Sequence, residues 1–164
     1  MRSRHVRARI LAIVLSSSAL MVAVAPAAAV PPTPEPVFVD IWGCAEFGGG
    51  EAAVPAGADL YLGYGWFAYS RGQQVAWLSS VRVTMTVDGV AVPNPDSLWT
   101  EIIKVDKKFW LTFWQYQYPT PLENRESITV HMVLTLTVPV YDGATWFPAG
   151  TLADSTCVIT GTNH

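Results

Sequence analysis

Ser127-Ile128-Thr129-Val130-His131-Met132-Val133-Leu134-Thr135-Leu136-Thr137-Val138 decides the fold. Ile128, Val130, Met132, Leu134, Leu136 and Val138 recur at every second position. Thr129, His131, Thr135 and Thr137 fall between them, with Val133 as the exception. A period of two places alternate side chains on opposite faces of an extended chain, so the pattern predicts a half-buried strand. Pro139 cannot donate to a sheet ladder and ends it.

The same period recurs upstream. Val81, Val83, Met85 and Val87 alternate with Arg82, Thr84 and Thr86, and Asp88-Gly89 leads into Val90-Ala91-Val92. Asp-Gly between two such runs is a hairpin signal, because both central residues of a type I′ turn need positive φ. Pro93 and Pro95 close the hairpin. Val37 to Trp42 reads as a strand leading to Cys44, stopped by Gly48-Gly49-Gly50. Val54-Pro55-Ala56-Gly57 is turn chemistry. Leu60, Leu62, Tyr64 and Trp66 share one face of a strand region from Asp59 to Ser70. Arg71 to Gln74 reads as a loop, and Val75 to Ser80 as a short turn or one helical turn. Phe109 to Tyr118 is a strand ended by Pro119 and Pro121, Tyr141-Asp142-Gly143-Ala144 turns the chain, and Ser155 to Thr160 is the last strand.

No long segment after the N-terminal region shows helical spacing. About seven strands with turn signals between most of them point to an all-β, antiparallel β-sandwich; a jelly roll or small barrel is the alternative.

The N-terminal region is of another kind. Arg2, Arg4, Arg7 and Arg9 precede an apolar run from Ile10 to Val24, and Ala27-Ala28-Ala29 follows. This order predicts a signal peptide at residues 1–29, cut after Ala29. Ser16 to Ser18 and Pro26 weaken the run as a spanning helix, so the mature form is not expected to span a membrane. Residues 30–36 hold four prolines and form an extended tether, followed by one domain over 37–164. The expected location is secreted or extracellular, periplasmic if the source has an outer membrane. Removing the leader arginines leaves six Lys and Arg against thirteen Asp and Glu, a net charge of −7. Such a chain repels phosphate backbones and anionic lipid heads, which argues against a nucleic-acid partner.

Cys44 and Cys157 are the only thiols. In an exported chain two cysteines pair, so a long-range disulfide is expected between the first strand and the last. Two sulfurs alone make no zinc site, and no metal or cofactor is expected.

The Pro55-Ala56-Gly57 turn, the Trp66 strand, Thr86-Val87-Asp88-Gly89, Phe113-Trp114-Gln115-Tyr116 and a cysteine in the last strand resemble short exported bacterial immunoglobulin-like β-sandwich proteins of unknown function. The resemblance covers most of Phe38 to Thr160 and rests on turns and aromatics. It implies a fold and no activity. The chain departs from antibody-type domains, whose bridge closes a much shorter loop.

Strand 109–118 is the candidate binding segment. Phe109, Leu111, Phe113, Gln115 and Gln117 share one face; Trp110, Thr112, Trp114, Tyr116 and Tyr118 share the other. Both faces cannot join one core. Trp110, Trp114, Tyr116 and Tyr118 are therefore candidate ligand-binding residues, able to stack on the C–H faces of sugars. The competing and commoner reading makes Trp110 and Trp114 core or edge-covering residues. Catalytic signals are weak: His131 stands alone on a threonine-rich face, no Gly-x-Ser-x-Gly elbow occurs, and Glu123 and Glu126 flank a turn. The Asp-Gly pairs at Asp88 and Asp142 are turn signals rather than a calcium loop. The expected function is a non-catalytic secreted interaction or structural module for an extracellular protein, cell-wall or glycan partner. A carbohydrate-binding module is the alternative, and a small glycoside hydrolase a distant third.

Overall fold

The computed structural model describes residues 34–163. The expected signal peptide and residues 30–33 of the expected tether lie outside them. The domain is an all-β sandwich of two packed sheets.

The strands are β1 (Val37–Asp40), β2 (Glu51–Pro55), β3 (Leu60–Ala68), β4 (Val81–Val87), β5 (Val90–Ala91), β6 (Ile103–Lys104), β7 (Trp110–Gln117), β8 (Ser127–Leu136), β9 (Val140–Tyr141), β10 (Trp146–Phe147) and β11 (Gly150–Thr162). Seven of them have four residues or more; six of these are read from the sequence, whereas β2 replaces the start of the expected Val54–Gly57 turn and the expected Val90–Val92 strand shrinks to the two residues of β5. One sheet runs β1-β3-β7-β6, the other β2-β11-β8-β4-β5, and β9 pairs with β10 in a small ribbon. The sheets are mixed rather than wholly antiparallel, because β1 lies parallel to β3 and β2 parallel to β11.

Central β8 follows its sequence pattern. Ile128, Val130, Met132, Leu134 and Leu136 are buried between the sheets, whereas Val138 lies past the strand end and is exposed. β4 contributes Val81, Val83, Met85 and Val87 to the same core, and β3 contributes Leu60, Leu62, Tyr64 and Trp66. The Asp88-Gly89 turn has the two positive φ values that its sequence demands, 49° and 79°.

Two helices correct the reading of the chain. Strand β1 stops at Asp40, whose Oδ1 accepts the Gly43 N–H at 3.0 Å and so starts helix α1 (Ile41–Phe47). Cys44 therefore sits on a helix, and the bridge to Cys157 ties α1, not the first strand, to β11. Helix α2 (Arg71–Ser80) replaces the expected loop and turn. The Ser70 hydroxyl caps it by accepting the Gln73 N–H at 3.2 Å. Its buried positions are Gln74, Trp77 and Ser80. They stand at helical spacing, but two are polar, so no apolar period marks the segment. Their burial is met in part by hydrogen bonds: the Gln74 amide N–H donates to the Trp66 carbonyl at 2.7 Å and the Ser80 hydroxyl donates to the Ala76 carbonyl, while Gln74 Oε1 and Trp77 Nε1 meet no protein partner among the described residues. Trp77 lies flat on Trp66, ring centroids 3.6 Å apart and planes 4° apart.

Candidate functional site

Strand β7 carries all but one of the candidate binding residues, and its register against β3 decides their fate. Tyr64 lies opposite Trp114 and Trp66 opposite Thr112. Since Tyr64 and Trp66 face the second sheet, Thr112 and Trp114 face it too. Trp114 is 0% exposed, and its indole N–H donates to the Pro95 carbonyl at 2.6 Å. The four aromatics thus form no shared exposed platform. Trp114 belongs to the core, as the commoner reading had it. Trp110 is half-buried at one end of the strand, with the Lys104 ammonium 5.7 Å from its ring centre. Tyr116 and Tyr118 are brought together at the other end. They line a cleft of about 260 Å³ with Val87, Asp88, Val90 to Val92 and Pro119. Partial burial, then the charges of Asp88 and Glu126 and the neighbouring Tyr116, push the Tyr118 phenol pKa above its ordinary value.

The solvent face of this sheet is the one that carries Leu111, Phe113, Gln115 and Gln117 on β7. It carries Phe38, Phe67 and Phe113, with Leu111 tucked between Phe67 and Ile103 in register. Gly63 and Gly65 leave a furrow along β3. A Cβ at Gly63 would meet Phe38 at 2.9 Å, and one at Gly65 would meet Phe113 at 3.1 Å. The two phenyl rings fill this space edge to face, centroids 5.6 Å apart.

A second aromatic cluster escaped the sequence reading. Three connections meet at one end of the sandwich: 69–80 with α2, 105–109 between β6 and β7, and 137–149 with the β9–β10 ribbon. Their contacts are specific. Thr137 N–H donates to the Ser80 carbonyl, Tyr69 N–H donates to the Asp142 carbonyl, and the Tyr69 and Phe109 rings lie 5.0 Å apart. The ribbon tip is locked by its own turn, where Asp142 Oδ1 accepts the N–H groups of Ala144 and Thr145 at 2.7 Å each. The Tyr141 hydroxyl donates to the Gly143 carbonyl at 2.7 Å. Trp146 is 68% exposed and Tyr141 37%, with ring centroids 5.2 Å apart; Tyr69 is 48% exposed. The available signal was the placement of Trp146 between Thr145 and Phe147-Pro148, in a turn-rich stretch without strand alternation.

No family model, curated protein or solved structure matches this chain.

The residues weighed for catalysis have structural partners. Glu126 accepts the Glu123 N–H at 2.7 Å and so shapes the turn between them. His131 Nε2 lies 2.7 Å from Asp154 Oδ1 on the outer face of the five-stranded sheet. Asp88 Oδ1 accepts the Thr129 N–H at 2.8 Å. Among the described residues, no group of three or more His, Cys, Asp or Glu is placed to hold a metal ion.

Proposed function

We propose that this chain is a non-catalytic extracellular interaction module of immunoglobulin-like type, and that it meets its partner through the three-connection end. The rigid, exposed aromatic tip of the β9–β10 ribbon carries this reading. Large rings held in place by backbone turns lose little entropy on contact, which is why Trp and Tyr dominate interaction hot spots. Strand order supports the fold type. If β1 takes the letter A, and β3 to β8 and β11 take B, C, C′, D, E, F and G, one sheet reads A-B-E-D and the other reads G-F-C-C′ with β2 added beside G, an order like that of immunoglobulin sandwiches. The B–C and F–G connections then fall at the same end, where variable domains bind ligands. In this lettering helix α2 occupies the B–C connection, and the disulfide joins α1 to strand G. The disulfide and the leader support export.

The test is retention of the purified protein on envelope preparations of its source. Saturable retention that falls about tenfold or more in the Trp146→Ala, Tyr141→Ala double variant is the expected result, the size of a hot-spot loss. Equal retention of parent and a folded double variant overturns the assignment of the contact to this end.

The cleft beside Tyr116 and Tyr118 favours a second reading, a carbohydrate-binding module. Two phenol rings and one carboxylate edge offer a stacking face and hydroxyl partners for a sugar. A glycan array read with the parent and Tyr118→Ala tests it. Binding that survives in Tyr118→Ala, or its absence in the parent, sinks this reading.

A further inference from the structure

The net charge of the domain hides a sharp polarity. Of the six cationic side chains among the described residues, Arg71, Arg82, Lys104, Lys107 and Lys108 lie at the three-connection end, all exposed; Arg125 alone lies elsewhere. The three connections contain only two acids, Asp106 and Asp142. Both turn a carboxylate oxygen back to their own loops: Asp106 Oδ1 accepts the N–H groups of Lys108 and Phe109, as Asp142 does those of Ala144 and Thr145. The other eleven acids are spread over the rest of the domain. This end thus pairs positive charge with protruding rings, and the body behind it is acidic.

We propose that this end docks onto a lipid bilayer with anionic headgroups, a proposal that rests on the reading of the same end as the contact surface. Trp and Tyr settle at the headgroup level of a bilayer, where one edge of the ring is wet and the other apolar. Lysine and arginine near an anionic leaflet are drawn to it within a Debye length. Exposed Val75, Val105 and Val138 add aliphatic surface beside Tyr69, Tyr141 and Trp146. The clefts along Glu51 to Ala53, beside Tyr116 and Tyr118, and at Asn94 to Ser97 lie away from this end. The acidic body opposes any other orientation, so the charge distribution selects the end that approaches.

The experiment is co-sedimentation of the protein, as purified from its producing cells, with vesicles. Phosphatidylcholine vesicles with about 30 mol% phosphatidylglycerol should retain it, and pure phosphatidylcholine vesicles should not. The Lys107→Ala, Lys108→Ala double variant should partition about thirtyfold more weakly, and raising salt from about 0.1 to about 0.5 M should release the parent. Trp146→Ala should lose the blue shift of tryptophan emission on vesicle addition, and near-UV circular dichroism checks that both variants remain folded. No retention on the anionic vesicles, or retention unchanged in both variants, overturns the proposal. Capture by immobilised polyglutamate without vesicle binding overturns it as well, yet leaves this end as the contact surface for an acidic protein. Absence of binding to either probe overturns the lipid proposal, and the envelope assay then decides the broader reading.

Discussion

Tyr69 rests on Gly143: a Cβ added at Gly143 would come within 2.5 Å of the Tyr69 Cβ. Gly143 has a φ of 111°, a backbone conformation that side-chain-bearing residues rarely adopt. The close approach lets the Tyr69 N–H reach the Asp142 carbonyl at 2.9 Å, joining the end of β3 to the β9–β10 ribbon. One small residue thus holds two of the three connections together.

Gly143→Ala should therefore cost about 1–3 kcal/mol, from forced φ alone, before the clash with Tyr69 is added. Urea denaturation measures the loss. Amide exchange should show faster opening of residues 140–147 while β8 stays protected; uniform protection across the ribbon would contradict this account.

Cys44 and Cys157 are 113 residues apart in sequence, with Cα atoms 5.9 Å apart. A loop of that length removes about 4–5 kcal/mol of chain entropy from the unfolded state in the simple model. Cys44→Ser with Cys157→Ser should lower stability by about this amount. Reduction of the parent should shift its denaturation midpoint to that of the variant.

Two tryptophans separate packing from contact. Trp114→Ala empties the core and strands the Pro95 carbonyl, so a loss of about 3–5 kcal/mol is expected. Trp146→Ala removes an exposed ring and should stay within about 0.5 kcal/mol of the parent. Thermal melts of the two variants should differ accordingly.

Tyr64 sets an alkaline limit. Burial, and then the charge of Asp40, oppose ionisation of its phenol and raise its pKa far above the usual value. The unfolded chain releases this proton near about pH 10, where the folded chain keeps it. The unfolded state then binds fewer protons, so stability is full below that pH and falls as pH rises through it. Tyr64→Phe should flatten this alkaline slope. Its hydroxyl meets no protein partner among the described residues, so the substitution should cost little at neutral pH. A steep slope retained in Tyr64→Phe would point to another group.

Strand reading succeeded where one face is dry and the other wet. The inward set of β8 from Ile128 to Leu136, the β4 set from Val81 to Val87 and the Asp88-Gly89 turn all lie as their period and turn chemistry require. It failed where burial was met by hydrogen bonding instead of apolarity. On α2 the buried Gln74 amide N–H and Ser80 hydroxyl donate to backbone carbonyls, so the helix carries no apolar period. At α1 a single side chain, Asp40, turns an apolar extended run into a helix.

The candidate site was legible in part. Tyr116 and Tyr118 do share a cleft, but β7 is apolar on both faces, and periodicity cannot say which face meets the second sheet. Only the pairing of Tyr64 with Trp114 settles it, and Gly63 and Gly65 mark the outer side in hindsight.

Alternation, turn residues and cysteine count by themselves determined an all-β sandwich with a long-range bridge, because these are local rules of backbone geometry and of chain composition. Tertiary structure alone decided which face of β7 is dry. It alone brought Tyr69, Phe109, Tyr141 and Trp146 to one end and gathered five cations there, because those residues lie up to tens of positions apart and meet only through the register of the two sheets.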